Sequence, residues 1–227
     1  MIKTHRELAS FIAGKKILHM NSYGKDSILC LDWLTSFAHP REVYSLNFKF
    51  LAPHPKDAAY KRYLKGKFPT VKFLEEPNPF DISRVLSGVF QNPVQRITEL
   101  NKTEHFEFDH KIMAEDIRLE LGCDYLCYGL SRYESFSRAK YFHKKGLVDG
   151  PKIHPLGMMS KKEVLSMVQG RNLKVHPSYK TNPTTIDSPS YYKMRSSFIL
   201  YPEYEKEVYK FFPLLELDKY RYEVLLK

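Results

Sequence analysis

The sequence predicts an α/β fold: a doubly wound, mostly parallel sheet with helices on both faces and a C-terminal helical extension. Three observations carry this. Short apolar runs alternate with helix-patterned segments, and parallel neighbours need crossover connections of that kind. A chain of 227 residues, 43% hydrophobic and 27% charged, holds enough apolar material for one sizeable core and too little bias for a disordered or fibrous protein. No internal repeat or low-complexity stretch suggests an array.

The elements follow in order. Lys16–Met20 is a short apolar run bounded by polar residues, read as a first strand. It leads through a tight loop, Asn21–Gly24, into Ser27–Leu34, whose dense apolar residues suit a buried helix. Glu42–Phe50 is the second strand candidate, and Lys56–Leu64, after Pro53 and Pro55, looks helical. Val71–Leu74 is a third strand; a helix over Lys111–Leu121 precedes a fourth over Cys123–Tyr128. Between them, Glu75–His110 is irregular, with Pro77, Pro79, Pro93 and the aromatic and acidic cluster Glu104–Asp109, and is expected to be an inserted helical or loop segment. Ser160 with Glu163 makes a capping box that opens a further helix. After Pro177 come Pro183, Pro189 and Pro202, predicting loops and then closing helices, interrupted near Pro213. The expected organisation is an α/β domain over 1–180 and a loop and helical extension over 181–227.

Composition narrows the class. There are 36 Lys and Arg against 26 Asp and Glu, a net charge of +10 that favours polyanionic ligands such as nucleotide phosphates or nucleic acid. No apolar run approaches the roughly 20 residues needed to cross a bilayer, and the opening residues lack a secretory h-region. A soluble, cytoplasmic protein with no membrane partner is expected. The three cysteines, Cys30, Cys123 and Cys127, are too few for a disulfide framework and fit a reducing compartment. The histidines are scattered, and no zinc site is read from their spacing.

The informative string is Ser22-Tyr-Gly-Lys-Asp-Ser27, at the turn from first strand to helix. Gly24 lets the backbone approach a phosphate, the free N–H groups of the helix start point at an anion, Lys25 adds positive charge, and Ser22 and Ser27 carry hydroxyl donors. A Walker A loop would need Gly at position 19 and Ser or Thr at position 26, which here are His19 and Asp26. The string instead resembles the pyrophosphate loop of the adenine nucleotide alpha hydrolase (PP-loop ATP pyrophosphatase) superfamily, in the version of the phosphoadenosine phosphosulfate reductase-like family. Later landmarks arrive in order: Tyr128–Arg138 resembles that family's Gly-x-Arg-x-x-Glu-Ser-x-x-Arg segment, with Gly129, Glu134, Ser135 and Arg138 in register. Ser131 stands at the first arginine position and Arg132 one place later. Lys152–Leu156, Ser160–Val164 and His176–Tyr179 resemble the remaining landmarks.

The resemblance implies a Rossmann-like fold of the adenine nucleotide alpha hydrolase type, with ATP and Mg²⁺ as cofactors. It places nucleotide contacts at Ser22, Tyr23, Gly24, Lys25, Asp26, Ser27 and Gly129, with adenine against the end of the second strand near Leu46 and Phe48. Substrate contacts fall on Arg132, Glu134, Ser135 and Arg138; Lys25, Arg138 and Asp26 carry catalysis, Asp26 also holding Mg²⁺. The family's reductases carry a C-terminal nucleophilic cysteine, and here none follows Cys127. A thiolate is required for that chemistry, so a sulfonucleotide reductase is disfavoured. What remains is cleavage of the α–β bond of ATP by an adenylyltransferase-like enzyme, with AMP passing to, or activating, a small-molecule or nucleic-acid acceptor and pyrophosphate leaving. The alternatives are a phosphoadenosine phosphosulfate-using reductase- or sulfotransferase-like protein and a catalytically reduced nucleotide- or nucleic-acid-binding regulator. Two further segments could serve a nucleic acid: the basic run Arg132, Arg138, Lys140, His143, Lys144 and Lys145, read partly as a solvated loop, and Ser190–Arg195, which interleaves aromatics with cations. The tail from Tyr204 to Leu226 can bury against its own domain or against a second copy in a homodimer.

Overall fold

A computed structural model of the protein describes residues 1–86, 109–181 and 190–225. The chain runs α1 (His5–Ile12), β1 (Lys16–Met20), α2 (Lys25–Trp33) with a wider π turn over Leu34–Ala38, β2 (Glu42–Lys49), α3 (Asp57–Lys67), β3 (Lys72–Pro77) and α4 (Pro79–Leu86). It continues with α5 (His110–Glu120), β4 (Tyr125–Cys127), α6 (Phe136–Lys145), the short pair β5 (Val148–Asp149) and β6 (Lys152–Ile153), and α7 (Lys161–Gly170). The helices α8 (Ser178–Thr181), α9 (Tyr191–Leu200), α10 (Pro202–Phe211) and α11 (Leu215–Tyr220) close it. The α/β class and the mostly parallel sheet are as expected. Most of the Glu104–Asp109 cluster and Pro183 and Pro189 lie outside the described residues.

Six strands form one sheet in the order β3-β2-β1-β4-β6-β5. β1 is flanked in parallel by β2, through Lys16 to Glu42 and Met20 to Leu46, and by β4, through Ile17 to Tyr125 and His19 to Cys127. β4 pairs in parallel with β6, and β5 returns antiparallel on β6. Chain order therefore reverses at β1, where the connections leave to opposite sides. In open α/β sheets that switch point opens a crevice outside the carboxyl ends of the strands. The residues after Met20 and after Cys127 are placed there by topology alone.

Contacts divide the chain into two units, the first comprising Met1–Asn47, Lys61–Glu75 and Ala114–Val175, the second Phe48–Tyr60, Glu76–Met113 and His176–Lys227. The first unit is built around α2, whose residues from Ser27 to Trp33 are all buried. A helix apolar nearly all round belongs in an interior. Its one buried charge, Asp32, is matched by Arg171, whose Nη2 lies 3.3 Å from Asp32 Oδ1; an unmatched buried carboxylate would be strongly destabilising. The second unit has its own core of Ala52, Tyr191, Met194, Phe198, Tyr204, Val208, Phe212 and Leu215. The interruption expected near Pro213 is found between Phe211 and Leu215.

Candidate nucleotide-binding site

The loop after β1 is held by Asn21. Its main-chain N–H donates to the Leu46 carbonyl at 2.7 Å, extending the ladder one step past the strand. Its side-chain Oδ1 accepts from the Tyr23 N–H at 2.9 Å and from Ser27 Oγ at 3.3 Å, while its Nδ2 donates to Ser45 Oγ at 3.1 Å. Ser27 Oγ also reaches the Gly24 carbonyl at 3.1 Å, and Ser22 and Ser27 hydroxyls stand 3.4 Å apart. Tyr23 takes φ of 62°, the left-handed region that a bulky residue enters at a cost. Such backbone persists where the surroundings over-determine it, typically at ligand sites. Here the Asn21 hydrogen bonds and the Tyr23 hydroxyl, 3.2 Å from Glu75, hold it.

Gly24 is the N-cap of α2, and no side chain caps that helix. The first main-chain amides of an α-helix have no intrahelical partner, so an uncapped N-terminus is an anion site when it opens on a crevice. Lys25 Nζ lies 2.5 Å from Asp26 Oδ2, so the two residues are joined as an ion pair. Gly129, beyond β4, meets this turn through its backbone. A Cβ built there would lie 2.9 Å from the Asp26 carbonyl carbon and 3.1 Å from the Ser27 nitrogen.

Beside the loop, a cleft of about 230 Å³ is lined by Asn21, Tyr23, Ser45, Asn47, Lys61, Leu64, Lys65, Phe73, Leu74 and Glu75. Strand side chains alternate between faces, so Ser45 and Asn47 look into it while Leu46 is a core residue, 1% exposed. The Leu46 carbonyl is used by Asn21, and Phe48 belongs to the second unit. Asn47, between the two residues expected to meet adenine, has a more informative side chain. Its Nδ2 donates to the Asn21 carbonyl at 2.6 Å, which fixes the amide orientation. Its Oδ1 is buried with no hydrogen-bond partner among the described residues. A buried acceptor left open costs about 1–3 kcal/mol unless something donates to it. His19, beneath the loop, is fully buried, 3.2 Å from Ser45 Oγ, and burial holds its pKa down to about 4.

Most polar residues of the Tyr128–Arg138 segment serve local structure. Ser131 and Glu134 form a capping box over the short turn Arg132–Glu134, and Ser135 caps α6 through the Arg138 N–H. Arg138 pairs with Glu134 one helical turn away, both about two-fifths exposed. Ser131 is buried and donates to the Met159 carbonyl at 2.5 Å, whereas Arg132 stacks over Tyr133 at 4.6 Å. Of the expected site residues, the structure brings Ser22–Ser27 and Gly129 together; Arg132, Glu134, Ser135 and Arg138 form their own cluster. Lys140, His143, Lys144 and Lys145 lie on α6, so the solvated-loop reading of Lys144 and Lys145 is corrected to the last turn of a helix, where cations meet the negative end of the dipole. In Ser190–Arg195, Tyr191 and Met194 face the core of the second unit, while Tyr192 is exposed. Asn21 and Asn47 were not singled out from sequence as functional.

The cysteines are all buried and unpaired by disulfide. Cys30 is in hydrogen-bond contact with Cys127, and burial pushes its thiol well up. Cys123 lies before β4 and Cys127 ends it, and among the described residues the three cysteine sulfurs do not come close enough together to hold one metal ion. No helix among the described residues is long and apolar enough to cross a membrane.

A scan of protein-family models finds no match, and no curated protein matches the sequence. Among solved structures the chain is similar to the U34-tRNA thiolase NcsA from Methanococcus maripaludis, solved with its 4Fe-4S cluster. The TM-score is 0.50 at 16% identity, over 95% of this chain and 77% of that one. The likeness is one of fold, and it agrees with the Rossmann-like α/β architecture expected from the loop.

Proposed function

We propose that the protein is a PP-loop ATP pyrophosphatase-type enzyme that cleaves the α–β bond of ATP and transfers AMP to, or activates, an acceptor with release of pyrophosphate. The observation that carries this reading is the uncapped N-terminus of α2 at the switch point, preceded by Ser22–Gly24 in a conformation fixed by Asn21. The loop amides, Lys25, Ser22 and Ser27 would receive the β,γ-phosphates, and the open Oδ1 of Asn47 offers an acceptor to an exocyclic amino group of the base. The adjoining cleft has cationic side chains, Lys61 and Lys65, on its wall.

In-line attack on the α-phosphorus needs positioning and charge neutralisation more than covalent help. Lys25 and the amides offset the charge that grows on the departing pyrophosphate. Mg²⁺ would add charge neutralisation, and since it is commonly held by one or two carboxylates plus phosphate oxygens, Asp26 suffices as its protein ligand. Lys25 and Asp26, an ion pair in this structure, would then contact phosphate and metal separately. Arg138 and Arg132 would meet the acceptor, a small molecule or a nucleic acid.

The test is release of labelled pyrophosphate from ATP with Mg²⁺ across a panel of acceptors. Lys25→Ala is expected to lower release by about 10²- to 10³-fold, the usual loss for one preorganised donor. Undetectable ATP binding together with tight binding of phosphoadenosine phosphosulfate would transfer the site to a sulfonucleotide.

A further inference from the structure

We propose that His54, Asp57 and His176, all in the second unit, form a binding site for one divalent transition-metal ion of the zinc class. The proposal is independent of the nucleotide reading, since none of the three belongs to the loop or its cleft. One ligand atom from each residue lies within 4.8 Å of the other two. The sequence positions them by separate local rules. His54 is clamped between Pro53 and Pro55, Asp57 opens α3, and His176 precedes Pro177 at the entry to α8.

The carboxylate is already oriented. Asp57 Oδ2 accepts from the His54 N–H at 3.0 Å, and Oδ1 stands 3.1 Å from His176 Nε2. The two rings lie 5.1 Å apart at 78°. Aromatic edges fix them: Tyr60 against His176 at 5.0 Å, Tyr201 and Tyr204 against His54, each at 5.2 Å. Nε2 of His54 is buried with no hydrogen-bond partner among the described residues.

The far nitrogens meet main-chain amides and, for His176, a hydroxyl that can accept a ring proton. His176 Nδ1 is 2.8 Å from Ser178 Oγ and also meets the Ser178 N–H at 3.2 Å; His54 Nδ1 accepts from the Lys56 N–H at 3.2 Å. In the metal-free protein these amides place both ring protons on Nε2. The cation takes the place of those protons, which move to Nδ1, where Ser178 Oγ accepts the one on His176. Each imidazole keeps one proton, and the two amide contacts and the His176 Nε2–H contact to Asp57 are exchanged for bonds to the metal. Two imidazoles and one carboxylate, with no thiolate, suit zinc or a neighbouring first-row ion rather than Mg²⁺ or Ca²⁺, and three ligands leave a coordination position open.

The experiment titrates tag-free, chelator-cleared full-length protein with Co²⁺. The expected result is one Co²⁺ per chain with visible d–d absorption, displaced by Zn²⁺ and not by Mg²⁺. His54→Gln and Asp57→Asn are each expected to weaken binding by about 10- to 100-fold or more, while His39→Asn leaves it unchanged. His54 is only half-buried, so its variant tests the site without threatening the fold, and circular dichroism checks that it does. Absence of Co²⁺ absorption, thiolate charge-transfer bands, or affinity unaffected by His54→Gln would each overturn the assignment.

Discussion

At Gly129 the need for a missing side chain is set by main chain from another element. A methyl group there would sit 3.0 Å from the Asp26 carbonyl oxygen, inside any ordinary carbon contact, and main chain cannot swing aside as a flexible side chain can. Gly129→Ala is therefore expected to push the first turn of α2 away, costing about 1–3 kcal/mol of stability and weakening the proposed binding of ATP with it. Urea midpoints and an ATP titration measure the two effects; if neither moves, the close approach is wrong. The residues that make up the loop were legible because Ser22–Ser27 is contiguous and its chemistry needs those types in sequence. Asn21 and Asn47 were not, because their roles come from hydrogen bonds between neighbouring strands that only the sheet register creates. The same holds for His54, Asp57 and His176, which scattered spacing could not reveal.

Capping explains much at the level of elements. Ser160 accepts from the Glu163 N–H at 3.2 Å and Glu163 reaches back to the Ser160 N–H at 2.6 Å, with the Ser160 hydrogen bonds lowering the Glu163 pKa. Ser160→Ala is expected to cost about 1 kcal/mol, read as a lower urea midpoint at unchanged slope; no change would mean that packing alone holds α7. This box was visible in sequence because serine and glutamate stand three apart before an apolar run. Of the equivalent pair, resemblance places Glu134 among the substrate contacts and Ser131 at the family's first arginine position; in the structure the two form a cap. The helix read over Ser27–Leu34 ends at Trp33, but its continuation as a π turn was not legible. The π turn over Leu34–Ala38 carries no breaker residue, and the chain leaves through His39 at φ 44° rather than through a glycine. Strand edges moved for a related reason: they are set by the partner's length, as where β4 shrinks to Tyr125–Cys127 between β1 and β6.

For the whole molecule, the two units are threaded through the sequence rather than divided at one point, and composition along a chain cannot show such threading. Their buried titratable groups differ in kind. In the first unit, burial holds His19 and His154 down to about 4 from an ordinary 6.5. A depressed histidine contributes stability that is complete above its unfolded pKa and lost as pH falls toward its folded one. In the second unit His54 behaves likewise, also near 4, and His110 is held down by burial too. Against them, burial raises Asp81 to about 6 from 3.8. An elevated carboxylic acid contributes stability that is complete below its unfolded pKa and lost as pH rises through its folded one, so it gains on acidification where histidines lose. Near pH 5 unfolding of the first unit takes up about two protons, a loss on the order of 2–3 kcal/mol per pH unit, while Asp81 offsets much of that loss in the second. The depressed exposed carboxylates act only below this window. Hydrogen exchange from about pH 7.5 to about pH 5, corrected for intrinsic rates, is therefore expected to show protection falling more in β1 and β4 than in α9 and α10. Asp81→Asn removes the offset and should bring the second unit's acid response closer to the first. Equal responses in the wild type would show that the buried histidines and Asp81 do not titrate as their surroundings require.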